Sequence, residues 1–312
     1  MNRIAAVVVT YNRCKMLVGC LERLLAQKDA VCDILVVDNA STDDTARTVE
    51  SIIEKNPKRM AYRNTGKNIG GAGGFNFGLR WAVEDGYDGI WLMDDDTYPE
   101  PDALAQLLHA DALLEGSYAF LSGAVLWTDG TGCIMNRPGI YSKYEAEISR
   151  LTDGLLRVEQ ATFVSMFLKK ETVLKCGLPI RDFFIWGDDI EYSRRICIRH
   201  GLPAYLVAGS RVIHMMKENT GSNLYMDVPE RISRYQLAFR NESYLYRKEG
   251  IRGFIWYLIR CAANFKNIIF RAKSHRLRRF KALLVGMAKG IVFNPKVEFI
   301  SSENKGADDR NE

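Results

Sequence analysis

The sequence lacks the usual signals for export, membrane crossing and a disulfide framework. No window of its 312 residues reaches the ~18 uninterrupted apolar residues of a spanning helix, because Arg260 and Lys266 interrupt the most apolar late stretch. The chain begins directly with the apolar residues 4–9, without the parts of a signal peptide. Its seven cysteines have no paired CxxC spacing, which suits neither a disulfide framework nor a zinc site. We therefore expect a cytoplasmic protein that does not cross the bilayer.

Charge is distributed unevenly along the chain, although its net value is a modest +5. Basic residues recur every few positions between Arg247 and Lys281, and almost no acids accompany them after Glu249. The carboxylates that suggest chemistry lie in the first two thirds of the chain. A basic end and an acidic centre indicate two different roles.

The first hundred residues alternate short β-branched runs with amphipathic helical stretches. Strands are predicted over residues 4–10, 33–38 and 89–93, and helices over residues 14–27 and 42–55. This βαβ pattern predicts a mostly parallel sheet, which binds ligands outside the carboxyl ends of its strands. The side chains at those ends are polar or aromatic: Thr10, Tyr11, Asp38, Asn39 and Asp94 to Asp96.

The later part of the chain changes character. A mixed pattern continues to about residue 225, and helical periodicity follows from about residue 230. We predict a catalytic α/β domain over residues 1–225, a basic amphipathic helical extension over residues 226–300 and a disordered polar tail over residues 301–312.

The most informative segment is Gly89-Ile-Trp-Leu-Met-Asp-Asp-Asp-Thr97, an apolar strand that ends in three acids. Adjacent buried carboxylates repel one another, so such a cluster requires a compensating cation. Oxygen ligands favour Mg²⁺ or Mn²⁺, which can bind a diphosphate and neutralise its charge as it leaves. The alternative is a set of solvated acids, one of which caps a helix, but a cap needs only one acid.

A second acidic cluster lies in Phe183-Phe-Ile-Trp-Gly-Asp-Asp-Ile-Glu-Tyr192, where apolar residues lead into Asp188 and Asp189 at a predicted helix start. A carboxylate beside an apolar wall is a good general base, because burial raises its pKa. The alternative is a capping aspartate followed by an amphipathic helix. The presence of two separate acidic clusters favours chemistry.

Two further features have weaker signals when taken singly. Residues 64–78 contain six glycines, which permit close backbone approach to a ligand but also suit a plain flexible loop. They form neither a Walker loop nor a good dinucleotide fingerprint. His214 follows the apolar run 204–212, and a lone histidine is more often structural than a metal ligand. The oxygen-rich cluster upstream favours the ligand role.

Taken in order, these segments resemble glycosyltransferase family 2, whose catalytic domain has the fold called GT-A. The resemblance covers roughly residues 3–225. It depends on Val7-Val-Val-Thr-Tyr-Asn12, Val36-Val-Asp-Asn-Ala-Ser41, the glycine-rich stretch, the acidic triplet, the segment from Trp186 to Tyr192, and His214. The fold it implies is a GT-A nucleotide-sugar-binding domain with a C-terminal helical extension.

The resemblance also implies roles for individual residues. The donor-binding residues would be Thr10, Tyr11, Asp38, Asn68, Asp94 and Asp95. The ligands of Mn²⁺ or Mg²⁺ would be Asp94, Asp96 and His214. Asp189 would be the general base of an inverting transfer, and Trp186 and Asp188 would shape the acceptor site. Such a transfer needs one base and no enzyme nucleophile.

Within the family, Gly-Gly-Ala-Gly-Gly-Phe75 and Trp186-Gly-Asp-Asp-Ile-Glu-Tyr192 look most like the galactofuranosyltransferases, which use UDP-galactofuranose. Rhamnosyltransferases that use dTDP-rhamnose are the second choice. Either activity implies a nucleotide-sugar donor and a lipid-linked or polysaccharide acceptor in cell-surface glycan synthesis. The polymerising members carry flanking domains that this chain lacks, which speaks against processive polymerisation.

Two other function classes compete with this interpretation. A nucleotidyltransferase would share the sheet and the metal, but it would be expected to begin with a glycine-rich basic signature. A non-catalytic membrane-binding or nucleic-acid-binding module would explain the basic tail, but it leaves both acidic clusters without a role. We therefore expect no nucleic-acid partner.

The extension interleaves aromatic and aliphatic residues with cations over residues 251–289. This mixture is typical of helices that lie in a membrane interface, with cations toward anionic phospholipid. We expect peripheral binding at the inner face of the cell membrane, where a lipid-linked acceptor would be found. The alternative is that these helices pack on the catalytic domain or on a second subunit of a homo-oligomer.

Overall fold

Strands and helices alternate through the first hundred residues, as the sequence predicts. The computed structural model describes residues 3–300, and the predicted polar tail at 301–312 lies outside the described residues. Ten strands form one sheet. They are β1 (Ile4–Thr10), β2 (Asp33–Asp38), β3 (Met60–Asn64), β4 (Gly89–Asp94), β5 (Thr97–Pro99), β6 (Phe120–Leu126), β7 (Gly139–Ile140), β8 (Leu155–Gln160), β9 (Met166–Lys169) and β10 (Ala204–His214).

Helices cover both faces of this sheet, and a further group follows it in sequence. They are α1 (Cys14–Leu25), α2 (Thr45–Lys55), α3 (Gly70–Glu84), α4 (Ala103–Leu113), α5 (Lys170–Cys176), α6 (Asp188–Arg194), α7 (Tyr235–Lys248), α8 (Gly250–Arg271) and α9 (Arg276–Val292). A π-helical turn, Arg195–Arg199, continues α6.

The strand order is β3-β2-β1-β4-β9-β6-β10-β8-β7, with β5 paired to β10. The first four strands are parallel, as the βαβ pattern predicts. The second half is mixed, since β9 runs antiparallel to both neighbours whereas β6 and β10 are parallel. The predicted α/β fold with a helical extension is confirmed, and parallel pairing is concentrated where helices form the crossovers.

The central strands are apolar throughout because both of their faces are covered. In β1, Ala6 and Val8 pack into one core with the inner face of α1, whereas Ala5, Val7 and Val9 pack into a second core with α3. Polar residues are therefore confined to the strand ends. This arrangement brings the functional side chains to one edge of the sheet.

The glycine-rich stretch is a helix over most of its length, so the interpretation as a plain flexible loop is wrong. Its glycines allow α3 to pack closely on the sheet. A Cβ at Gly74 would lie 2.5 Å from Val9, and one at Gly78 would lie 2.4 Å from Val7. Gly70, at the start of the helix, has a φ of +76° and packs against the backbone of Phe184. The sequence predicts close approach of this backbone to a ligand. In the structure the backbone closely approaches the sheet and a neighbouring loop.

The C-terminal helices α7, α8 and α9 pack on one another around a third core that includes Phe239, Tyr257, Ile268 and Leu283. A fourth cluster joins this extension to the rest of the chain, with Tyr244 of α7 against Ala72 and Phe183. The extension thus has a core of its own and is also attached to the catalytic part.

One side of α8 and α9 faces outward and carries large apolar side chains. Phe270 is 75% exposed and Leu277 is 85% exposed, and exposed cations lie between such residues. Arg279 is an exception, because it is buried and donates to the carbonyls of Leu224, Ser274 and Asp227. Across residues 3–300, no helix combines the length and apolar character that crossing a membrane requires.

Candidate active site

The first acidic cluster lies where β1 and β4 end side by side. Val9 is paired with Asp94 in the parallel register, so the residues that follow each strand come together. The buried hydroxyl of Thr10 donates to Oδ2 of Asp95 over 2.8 Å. Thr10 therefore holds the acidic segment in place, in addition to any contact that it makes with a donor.

Arg13, which precedes α1, supplies a cation to this cluster. Its Nη1 lies 2.5 Å from Oδ2 of Asp96 and 3.3 Å from Oδ1 of Asp95. The sequence predicts a compensating cation but not this one. The position of Arg13 one residue after Thr10-Tyr-Asn12 is a signal that could have identified it.

His214 reaches the same cluster from the end of β10, where it pairs with Thr97 of β5. Its Nε2 lies 3.2 Å from Oδ1 of Asp96. Its Nδ1 lies 2.7 Å from Oδ1 of Asn136, whose amide group in turn donates to Thr162. Because the oxygen of an amide only accepts, Nδ1 of His214 donates to Asn136, and Nε2 faces Asp96.

The electrostatics of the cluster reflect three acids in a small volume. Burial, reinforced by the charge of Asp96, raises the pKa of Asp94 to about 7 and that of Asp95 to about 6. Burial acts in the same direction on Asp96, but the hydrogen bond and charge of His214, together with Arg13, keep its pKa below the usual value. Burial would lower the pKa of His214, but Asp96 and Cys133 raise it to about 10. Negative charge is thus concentrated on Asp96.

Of the predicted metal ligands, the structure brings Asp96 and His214 into contact. Oδ1 of Asp96 is buried and faces Nε2 of His214. Within the described range, no set of three or more His, Cys, Asp or Glu side chains is arranged to hold a metal ion. Asp94 lies in the same cluster and raises the pKa of His214 through its charge, without completing such a set.

The predicted donor residues flank this cluster along the sheet edge. Tyr11 is 43% exposed and presents its ring to solvent. Asp38 is fully buried, and its carboxylate accepts from the Tyr62 hydroxyl over 2.6 Å and from Asn64 over 3.2 Å. Oδ1 of Asn68 accepts from the backbone N–H of Gly70, which stabilises the turn before α3. The donor-binding roles of these residues stay predictions.

The second acidic cluster sits on an unusual loop. Phe184 and Trp186 both have a φ of +65°, and Gly187 has a φ of +85°. Positive φ in residues other than glycine costs on the order of 1–3 kcal/mol each and is found preferentially at functional sites. Helix α6 begins immediately afterwards, and Oδ1 of Asp189 accepts from the N–H of Ile190 over 2.7 Å.

Burial raises the pKa of Asp189 to about 6. Burial also raises the pKa of Asp188 well above its usual range, and the negative charge of Asp189 adds to this effect. Burial therefore disfavours the ionised form of both carboxyl groups. The charge of Asp94 also contributes to the raised pKa of Asp188.

Trp186 contacts residues that the sequence does not single out. Its ring meets that of Tyr235 edge-on at 4.8 Å, and the guanidinium of Arg231 lies 5.3 Å from its centroid. Both partners belong to the segment that leads into the C-terminal helices. No local pattern identifies them, since the contact joins segments far apart in the chain.

Comparisons with known proteins agree with this geometry. Residues 5–157 match the profile of "Glycosyl transferase family 2". The chain is 28% identical to the galactofuranosyltransferase GlfT1 of Mycolicibacterium smegmatis, over 80% of this chain and 84% of that protein. It is 26% identical to the dTDP-rhamnosyl transferase RfbF of Shigella flexneri, over 88% of this chain and 94% of that protein.

A solved structure shares the fold. It is the mannosyltransferase PcManGT from Pyrobaculum calidifontis in complex with GDP-Man and Mn²⁺, with a TM-score of 0.57 and 16% identity over 93% of this chain and 87% of that one. The predicted resemblance is confirmed. The chain is a glycosyltransferase with the GT-A fold, and its residues 5–157 form a glycosyltransferase family 2 domain.

Proposed function

We propose that this enzyme is an inverting, metal-dependent glycosyltransferase that transfers galactofuranose from UDP-galactofuranose to a lipid-linked or polysaccharide acceptor. The observation that carries the proposal is the cluster of Asp94, Asp95 and Asp96 with Arg13 and His214 at the strand ends, in a chain whose residues 5–157 match glycosyltransferase family 2. In this proposal the cluster binds the nucleoside diphosphate of the donor, and Asp189 in the second acidic cluster deprotonates the acceptor.

In this proposal Asp189 takes the proton of the attacking acceptor hydroxyl. A pKa of about 6 leaves Asp189 ionised at neutral pH yet basic enough to accept that proton. The hydroxyl attacks the anomeric carbon opposite the nucleoside diphosphate, so no enzyme nucleophile is needed. Asp188 and Trp186 shape the acceptor site beside this base.

The donor set at Asp96 and His214 fits Mn²⁺ or Mg²⁺. Oδ1 of Asp96 faces Nε2 of His214 3.2 Å away, and Asn136 orients that ring so that Nε2 could act as a ligand once it has lost its proton. Such ions are held by a few protein ligands together with substrate phosphates, and Asp94 in the same cluster is the third proposed ligand. When bound, the ion neutralises charge on the leaving diphosphate. Arg13 would remain beside Asp95 and would add its positive charge near the leaving diphosphate.

The choice of galactofuranose is supported by the name of the mycobacterial relative, which aligns over most of both chains. The name of the Shigella relative supports a second candidate, rhamnose from dTDP-rhamnose. Both sugars would be placed between the acidic triplet and Asp189.

We further propose that the exposed side of α8 and α9 binds the anionic inner face of the cell membrane. The support is the combination of exposed large apolar residues with a density of cations near Arg276 and Arg278. A lipid-linked acceptor would then be met where it resides. A homo-oligomer formed through the same side is the competing arrangement.

The deciding experiment is a donor screen with UDP-galactofuranose, UDP-galactopyranose and dTDP-rhamnose, a polyprenyl-diphosphate-linked glycan acceptor, and Mn²⁺ present or chelated. We expect turnover with UDP-galactofuranose that depends on the metal and releases UDP with inversion at the anomeric carbon. Asp189→Asn in parallel shows that the turnover is enzymatic. Turnover with dTDP-rhamnose alone selects the second candidate, and release of pyrophosphate contradicts glycosyl transfer.

A further inference from the structure

We propose that Asn241, on helix α7 of the C-terminal extension, is a positioning residue that holds the loop carrying Trp186 and the acidic pair in its reactive shape. This inference rests on the proposed function, because it assumes that Asp189 acts on the acceptor. It makes the extension part of the active site as well as the proposed membrane contact.

The side chain of Asn241 is fully buried and directed at the backbone of this loop. Its Nδ2 donates to the carbonyl oxygens of Trp186 at 2.8 Å, Phe183 at 3.0 Å and Ile185 at 3.2 Å. Its Oδ1 accepts from Nε of Arg240 over 3.0 Å, which fixes the orientation of the amide group. One side chain therefore contacts three of four successive carbonyls.

The remaining carbonyl of the four is that of Phe184, and it accepts from the backbone N–H of Ala72 in α3 over 3.2 Å. Gly70 permits this approach, since a Cβ there would lie 2.0 Å from the Phe184 oxygen. The loop is thus held between α3 on one side and Asn241 on the other.

The loop needs such support because its backbone is strained. Phe184, Trp186 and Gly187 all have positive φ, and the first two are not glycine. Such conformations persist only where surrounding contacts over-determine them. The carbonyl of Phe183 also accepts from the N–H of Ile185 and from Arg240. Without the amide of Asn241, the carbonyls of Ile185 and Trp186 lose their donor, and this end of the loop is free to relax toward ordinary φ values. Asp188 and Asp189 follow directly, so any relaxation moves the base relative to the acceptor.

A separate contact ties the far end of α6 to the same extension. Nε and Nη2 of Arg194 each lie 2.7 Å from a carboxylate oxygen of Glu249, at the junction of α7 and α8. Both ends of the helix that carries Asp189 are therefore connected to the extension.

The test is Asn241→Ala, with Asn264→Ala as the matched control. Asn264 lies on α8 and donates only within its own helix, to the Arg260 carbonyl. Hydrogen exchange is followed by mass spectrometry in segment 183–190, with segments 4–10 and 33–38 of the central sheet as internal standards. Transfer kinetics are measured with the donor identified in the screen.

We expect Asn241→Ala to speed exchange in segment 183–190 by about tenfold while the sheet segments keep wild-type rates. Because a displacement of about 1 Å can cost 10²-fold, kcat should fall by about 100-fold while the donor KM stays within about twofold. Asn264→Ala should match wild type in every measurement. Asn241→Ser, which keeps one donor, should lie between wild type and Asn241→Ala.

Unchanged exchange in segment 183–190 of Asn241→Ala overturns the proposal. Faster exchange in the central sheet of both Asn241 variants also overturns it, because Asn241 would then stabilise the whole fold and not this loop. The exchange measurement needs no substrate. If wild-type protein shows no transfer with any donor while Asn241→Ala loosens only segment 183–190, the proposed function fails and the positioning of the loop by Asn241 stands.

Discussion

Nε2 of His214, the last residue of β10, lies 3.2 Å from Oδ1 of Asp96, which belongs to the turn between β4 and β5, far away in the sequence. The register between β10 and β5 creates this contact, because it places His214 opposite Thr97, the neighbour of Asp96. The contact is the structural basis for the proposed metal site.

We therefore expect Asp96→Ala and His214→Ala each to weaken Mn²⁺ binding by about tenfold or more, since each removes one ligand. Titration calorimetry with Mn²⁺ in the presence of UDP measures the effect. His109→Ala is the control, since His109 is exposed on α4. Unchanged affinity in His214→Ala would show that His214 is not a ligand.

Asp189→Asn should lower kcat by about 10²–10⁴-fold while nearly preserving donor affinity, because it removes the proton acceptor and keeps the shape of the side chain. Asp182→Asn is a matched control in the same segment, where Asp182 is exposed. The comparison requires steady-state kinetics and donor titration on both variants. Activity of Asp189→Asn within about threefold of wild type eliminates Asp189 as the base.

The rate should depend on pH through Asp189, whose pKa is raised to about 6 by burial. A general base works only when ionised, so kcat/KM should rise with pH through about 6 and then level off. The residual activity of Asp189→Asn should lack this inflection. If wild type and Asp189→Asn show the same dependence of kcat/KM on pH, a group other than Asp189 causes the inflection.

The glycines of α3 should differ in their tolerance of a methyl group. Gly78→Ala places a Cβ 2.4 Å from Val7 and 3.0 Å from Val37, so we expect a loss of about 1–3 kcal/mol in the free energy of unfolding. Gly71→Ala, with nothing within 4 Å, should be neutral or slightly stabilising. Urea denaturation of both variants measures the difference. Equal stability would show that the helix can shift away from the sheet.

Replacement of Arg276, Arg278 and Lys281 by glutamine should release the protein from anionic liposomes while turnover of a short soluble acceptor is retained. Each exposed cation near an anionic surface contributes up to about 1 kcal/mol. Arg279 is left intact because it is buried and holds backbone carbonyls. Replacement of Lys28, Lys55 and Lys58, which are also exposed, is the control. If wild-type protein does not sediment with such liposomes at low salt, packing against a second subunit is favoured.

Much of the fold was accessible from the sequence because its signals are local. Apolar runs and helical periodicity predict β1, α1, β2 and α2, and the acids that follow β4 predict the chemical edge of the sheet. The glycine-rich stretch was ambiguous, because glycine density alone does not separate a flexible loop from a helix packed closely on a sheet. Only contact with Val7 and Val9 decides that question.

The sequence by itself determined the family, the parallel first half of the sheet and the two acidic clusters, because each depends on neighbouring residues in the chain. The tertiary structure alone decided which side chains meet. It placed Arg13 among the acids, set His214 against Asp96, and brought Asn241 and Tyr235 from the extension to the loop of Trp186. These contacts arise from strand register and helix packing between distant segments, and no local pattern records which distant residues will share a surface.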